Sequence, residues 1–197
     1  MSRCRRVILL LMLGPLLAFG SEEERIADLY ARGLAGEKQA VIDCIAALES
    51  KLAAQPGDQL ARVYLGSAWT LRSRDLAFGP GKLAALHKGI ALMDEAAAAA
   101  PNDSKVLLLR AVTNESLPGF LGRGKIARQQ LDQLLITVET NPQELGLSDR
   151  QLLYLNAGKA AQRSGDKGRA TDLWQRGLAI AADPGLTEEI RRALGQP

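Results

Sequence analysis

The stretch Gly119-Phe120-Leu121-Gly122-Arg123-Gly124-Lys125 comes within one residue of a phosphate-binding loop. Such a loop reads G-x-x-x-x-G-K-[ST]: backbone N–H groups cradle phosphate oxygens, the lysine neutralises charge and the hydroxyl holds magnesium. Here Ile126 stands where the hydroxyl belongs, and a helix ending at Leu117-Pro118 precedes the glycines instead of a strand. Gly122-x-Gly124-x-x-Ala127 imitates a dinucleotide fingerprint with the same missing strand. The segment therefore reads as a long turn between two helices. The helix start after Gly124 can still attract an anion through free amides and Lys125.

Other chemistry is sparse. His87 is the one histidine, with no second histidine or cysteine at ligand spacing, so neither a metal site nor a Ser-His-Asp or Cys-His set is expected. The acid pairs Asp94-Glu95 and Glu188-Glu189 are sequence neighbours, which point to different parts of a helix surface and read as solvated. Two distant carboxylates joined by folding are the catalytic arrangement that the sequence leaves open. No catalytic residue, metal or cofactor is assigned.

Residues 1–20 form a segment of their own. Arg3, Arg5 and Arg6 precede an apolar run from Val7 to Phe19, and Ala18-Phe19-Gly20 supplies small residues for cleavage. This pattern predicts a secretory signal peptide, and the run is shorter than the ~20 residues of a permanent helical span. The expectation is a periplasmic or secreted protein of a bacterial envelope, without a stable membrane span once the leader is removed. The whole chain carries 25 basic and 22 acidic residues. All three charges of the leader are basic, so residues 21–197 are neutral overall and nucleic-acid binding is not expected. Cys44 is then the only cysteine, placed in an apolar helical stripe and expected to be a buried small hydrophobe.

The elements that must position these residues repeat. Lys38, Lys82, Lys125 and Lys167 each follow a glycine by one or two positions, and each is followed by a proline, namely Pro56, Pro101, Pro142 and Pro184. The prolines recur at intervals of 45, 41 and 42 residues, a period that fits stacked helical hairpins. The chain is rich in Ala, Leu, Arg, Gln, Glu and Lys, the good helix formers. Four hairpins are predicted: 21–56 with a break at Gly33 and Gly36, 58–101, 102–142 with Ser104 as a cap, and 148–184. A short charged helix, Thr187 to Leu194, is expected to close the end. The turns at 75–82 and 117–125 fall at the same point of successive hairpins, and each places a Phe beside Gly and Pro. Phe78 and Phe120 then lie on one edge of the array, either packed on each other or offered as a contact site.

The fourth hairpin resembles the tetratricopeptide repeat. Tyr154, Gly158, Gly165-Asp166, Ala170, Trp174 and Pro184 follow that family's order. Tyr64-Leu65-Gly66 and Trp69 repeat its start, and Ala111 takes the glycine position in the third hairpin. The period is longer than the family's usual 34 residues, so the repeats are degenerate. The resemblance spans most of residues 21–197. It implies an all-α, right-handed solenoid of about four antiparallel hairpins with a capping helix, whose concave face binds another protein or peptide. The groove residues it implies are Ser67, Thr70, Lys105, Lys159, Gln162 and Arg163. The leading expectation is thus an exported adaptor that mediates protein–protein interaction, with Phe78 and Phe120 as edge contacts. The alternative is a carrier of a small anionic or lipid ligand, or a helical enzyme, with a pocket under the long turns where Lys82, Arg123 and Lys125 meet the anion.

Overall fold

Nine α-helices make up the regular structure among the described residues, together with one short 3-10 turn at Gly119–Leu121. The computed structural model describes residues 21–196, so the expected signal peptide and Pro197 lie outside the described residues. The helices are α1 (Glu22–Leu34), α2 (Lys38–Ala54), α3 (Gln59–Asp75), α4 (Pro80–Ala99), α5 (Ser104–Ser116), α6 (Arg123–Thr140), α7 (Leu147–Arg163), α8 (Lys167–Ile180) and α9 (Pro184–Ala193). The fold is all-α, with no strand among the described residues, and the helices pack as four hairpins plus a terminal helix.

Local chemistry sets most boundaries. Ser21 and Glu24 form a reciprocal capping box on α1, which satisfies two amides that the helix itself leaves without partners. Asp58, Asp103, Asp166 and Asp183 cap α3, α5, α8 and α9 with side-chain oxygens. Asp103, not Ser104, is therefore the cap of α5, and Ser104 instead donates to Glu144 at 3.1 Å. Gly33 does not break α1. It stays inside the helix against Val41, and the turn falls at Gly36, whose φ of 105° suits glycine. Pro184 begins α9, where its missing N–H costs nothing.

Small residues bring the two helices of each hairpin together. In the second hairpin, Gly66 of α3 faces Gly89 of α4. A Cβ on Gly66 would lie 2.6 Å from Met93 Cγ and 2.7 Å from the Gly89 carbonyl oxygen. In the fourth, the Trp174 indole lies across Gly158 and donates from Nε1 to the Leu155 carbonyl at 3.1 Å. Ala111 and Ala127 are fully buried in the third.

The first helices of the four hairpins run parallel in one layer. Tyr30, Ser67 and Thr113 link α1, α3 and α5 through a chain of hydroxyl hydrogen bonds of 2.7 and 2.9 Å. Arg74, at the end of α3, donates to the Gly33 carbonyl at the end of α1. Arg163, at the end of α7, meets Glu115 near the end of α5. Burial raises the Tyr30 phenol well above its ordinary pKa, so it stays a neutral member of this chain. The core continues along the array in three clusters and ends at Ile190 of α9, which is fully buried against the fourth hairpin. Cys44 is buried in the first of these stretches, and burial raises its thiol pKa to about 11. It fills space there and has no access to a partner thiol.

Gly66→Ala is expected to destabilise the protein by about 1–3 kcal/mol, the usual cost of overpacking. Gly81→Ala, where the added Cβ meets nothing within 4 Å, should be neutral or slightly stabilising. Urea unfolding followed by circular dichroism measures both.

Candidate functional site

The long turns after α3 and α5 leave the same edge, because those two helices run parallel in the inner layer. Each must reverse the chain before the next helix begins. At Gly122, φ is 69°, a left-handed conformation that glycine adopts without steric cost. Pro80 starts α4 with a preset φ. Between these fixed points the apolar tips stand out. Phe78 is 90% exposed and Phe120 is 85% exposed. At that exposure they bury almost nothing against each other, so mutual packing of the two tips does not occur.

Beneath the second turn is an open cleft of about 480 Å³. Its walls are Glu115 and Leu117 at the end of α5, Gly122, Gly124, Lys125 and Arg128 at the start of α6, and Arg163 at the end of α7. Glu115 is only 4% exposed and receives Nη1 of Arg163, on Oε1 at 2.8 Å and on its own carbonyl. Burial pushes the Glu115 carboxyl pKa up, and the nearby Arg163 and Arg128 cations offset that only in part.

The three cations expected to meet an anion do not converge. Lys82 donates to the Leu76 and Arg74 carbonyls at 3.2 and 3.4 Å and so closes the end of α3. Arg123 turns away from the cleft. It donates to Asn114 Oδ1 at 3.1 Å and to Asp94 Oδ1 at 2.5 Å, and Arg110 reaches the same Asp94 oxygen at 2.6 Å. That triad ties α4 to α5 and α6. Of the expected set, only Lys125 lines the cleft.

The expected groove residues are also divided. Ser67 and Thr70 are buried: Ser67 sits in the hydroxyl chain, and Thr70 donates to the Ser67 carbonyl and packs over Gly89. Neither faces an open groove. Lys105 is exposed and lies 3.8 Å from Asp149. Lys159 is held at 2.6 Å by Glu189 of the terminal helix. Gln162 is exposed beside Arg163 at the end of α7. Arg163 belongs to the cleft through its contact with Glu115.

Sequence reasoning missed Arg128 and Glu115, and it read Asp94 as a solvated acid where the structure pairs it with Arg110 and Arg123. Arg128 carried a usable signal, since it stands one helical turn after Gly124 and Lys125 on the same face. Glu115 and Asp94 carried none, because their partners lie 48 and 29 residues away. Asn114, part of an acceptor pattern for glycosylation, is buried behind Arg123 and offers no exposed amide to a sugar.

No protein-family model and no curated protein matches this chain. Among the described residues, no group of three or more His, Cys, Asp or Glu side chains is placed to hold a metal ion. No described helix is long and apolar enough to cross a membrane.

Burial alone would raise the Asp94 pKa, but hydrogen bonds from Arg123 and Arg110 outweigh it and hold the carboxyl below its ordinary value. A depressed carboxylate contributes stability that is present above the unfolded pKa of about 4 and lost as pH falls through the folded value. Asp94→Asn should therefore lower stability at neutral pH by about 1 kcal/mol, a modest figure because the Asp94 side chain is 38% exposed. The gap from wild type should narrow below about pH 4 in urea titrations.

Proposed function

We propose that this protein is an exported helical-repeat adaptor that captures another protein or peptide in the cell envelope through the edge carrying Phe78 and Phe120. One observation carries the reading. Both phenylalanines of the described chain stand almost fully in water, at equivalent turns of neighbouring hairpins. Phenylalanine ordinarily supplies core burial, worth about 1.5–3 kcal/mol per side chain. Two such side chains on neighbouring turns form an exposed apolar surface that a partner can cover.

Three features support the same reading. The four-hairpin array is the kind of scaffold that presents surfaces rather than enclosed pockets. The order Tyr154, Gly158, Gly165-Asp166, Ala170, Trp174 resembles a repeat family built for protein interaction. The composition of residues 1–20 supports export to the periplasm or beyond.

The test is capture from cells expressing the full chain with its own leader and an affinity tag, after crosslinking. Wild type should recover one protein reproducibly at near-stoichiometric yield. The Phe78→Ser, Phe120→Ser double variant should lose about a hundredfold or more in affinity for that protein, with an unchanged helical circular dichroism spectrum. Equal recovery by the variant would remove the edge as the docking site. Recovery of a clean monomer by wild type would remove the adaptor reading.

A further inference from the structure

The cleft under the α5–α6 turn has a charge surplus that the fold itself does not use. Two of its neighbouring cations are already committed: Arg123 to Asp94, outside the cleft, and Arg163 to Glu115, within it. Lys125 and Arg128 are exposed and enter none of the ion pairs among the described residues. Arg128 folds back along its own helix, so that its Nη1 would lie 4.0 Å from a Cβ added at Gly124. Glu115 lies close enough to feel Arg128 as well as Arg163, but one carboxylate cannot offset Arg163, Arg128 and Lys125 together, so a net surplus of about two positive charges stands near the first turn of α6.

That placement is unfavourable in the isolated chain. The positive end of a helix dipole repels cations and favours anions. The first turn of α6 contains no acidic residue, and Gly122 at the cap position offers no side-chain acceptor to its amides. The helix end adds to a field that side chains from α6 and α7 already set around a cleft of about 480 Å³. Glycines at 119, 122 and 124 line this cleft and leave its backbone open to close approach. The residual charge near plus two matches a phosphate monoester, which carries about −1.5 to −2 at pH 7, better than a single carboxylate.

We propose that this cleft binds a phosphate group, held by Lys125, Arg128 and the first-turn amides of α6, with Arg163 fixing the far wall through Glu115. Charge-assisted bonds from lysine, arginine and helix-end amides are the usual means of holding that group. The site adjoins the docking edge at the Phe120 turn but rests on different side chains, so each can be tested without the other. The phosphate has two possible sources, a soluble phosphate ester or the headgroup of an anionic phospholipid, and Phe120 at the rim would enter the acyl boundary only in the second case.

Both sources can be tested on the protein comprising residues 21–197. In one arm, inorganic phosphate and glycerol 3-phosphate are titrated at constant ionic strength against chloride, with the melting temperature as the readout. In the other, the protein is sedimented with phosphatidylcholine vesicles with and without phosphatidic acid. Phosphate is expected to raise the melting temperature where chloride does not. The Lys125→Gln, Arg128→Gln double variant should weaken that response about tenfold or more. Lys38→Gln, which removes an exposed cation in the first hairpin, should leave it unchanged. Response in the soluble arm alone assigns a free phosphate ester, and sedimentation that requires phosphatidic acid assigns the headgroup. No phosphate-specific response in either arm, or an equal response from the double variant, overturns the site. Neither variant residue makes an ion pair among the described residues, and matching helical spectra would confirm that a lost response is not lost folding. Failure here would leave capture through Phe78 and Phe120 untouched.

Discussion

Contact between helix backbones at small residues is the constraint on which the rest of this structure depends. At Gly66 and Gly89 there is no room for a single added carbon on either helix. The same device recurs as Gly158 beneath Trp174, as Gly33 beneath Val41 and as the buried Ala111 and Ala127. Close approach strengthens dispersion contacts along each hairpin and fixes its axial register. Once the hairpins are set, their first helices can lie parallel, and Tyr30, Ser67 and Thr113 each find a hydroxyl partner in the chain that joins them.

That arrangement also explains why the inner layer is not an open groove. In α3 and α5 most residues are buried or half-buried, since each is flanked by its own second helix and by the first helices on either side. The terminal helix α9 covers the end of the array through Ile190, the Gln151–Thr187 hydrogen bond and the Lys159–Glu189 pair. Among the described residues, the two most exposed large apolar side chains, Phe78 and Phe120, lie on the turns. There the chain is held at glycine and proline, and the side chains between those points do not enter the core.

The polar features of that edge divide by purpose. Asp94 takes two arginines and binds the second hairpin to the third. Lys82 closes the end of α3 by donating to the Arg74 and Leu76 carbonyls. Arg163 neutralises a buried carboxylate across 48 residues of sequence. These groups are held in ion pairs or backbone hydrogen bonds, whereas Lys125 and Arg128 enter no ion pair among the described residues. The difference between a structural cation and one available to a ligand is thus decided by which acid the packing brings near.

The helices and their pairing were legible because they rest on local causes. Periodic apolar residues, aspartate caps and prolines act over a few positions, and the recurrence near 42 residues exposes the hairpin. The cap of the third hairpin moved from Ser104 to Asp103, and of the two expected breaks in the first hairpin only Gly36 turns the chain, because packing chose between nearby candidates. The all-α class, the four hairpins and the closing helix were thus determined by the sequence itself, whereas the choice between mutual packing and exposure of Phe78 and Phe120 was made by the tertiary structure. The fate of Ser67 and Thr70, the diversion of Arg123 to Asp94 and the assembly of Glu115, Lys125, Arg128 and Arg163 around one cleft were decided only by tertiary structure. The physical reason is range: a helix is specified by neighbours one turn away, but a charge is neutralised by whatever the stacked hairpins place within hydrogen-bond distance of it.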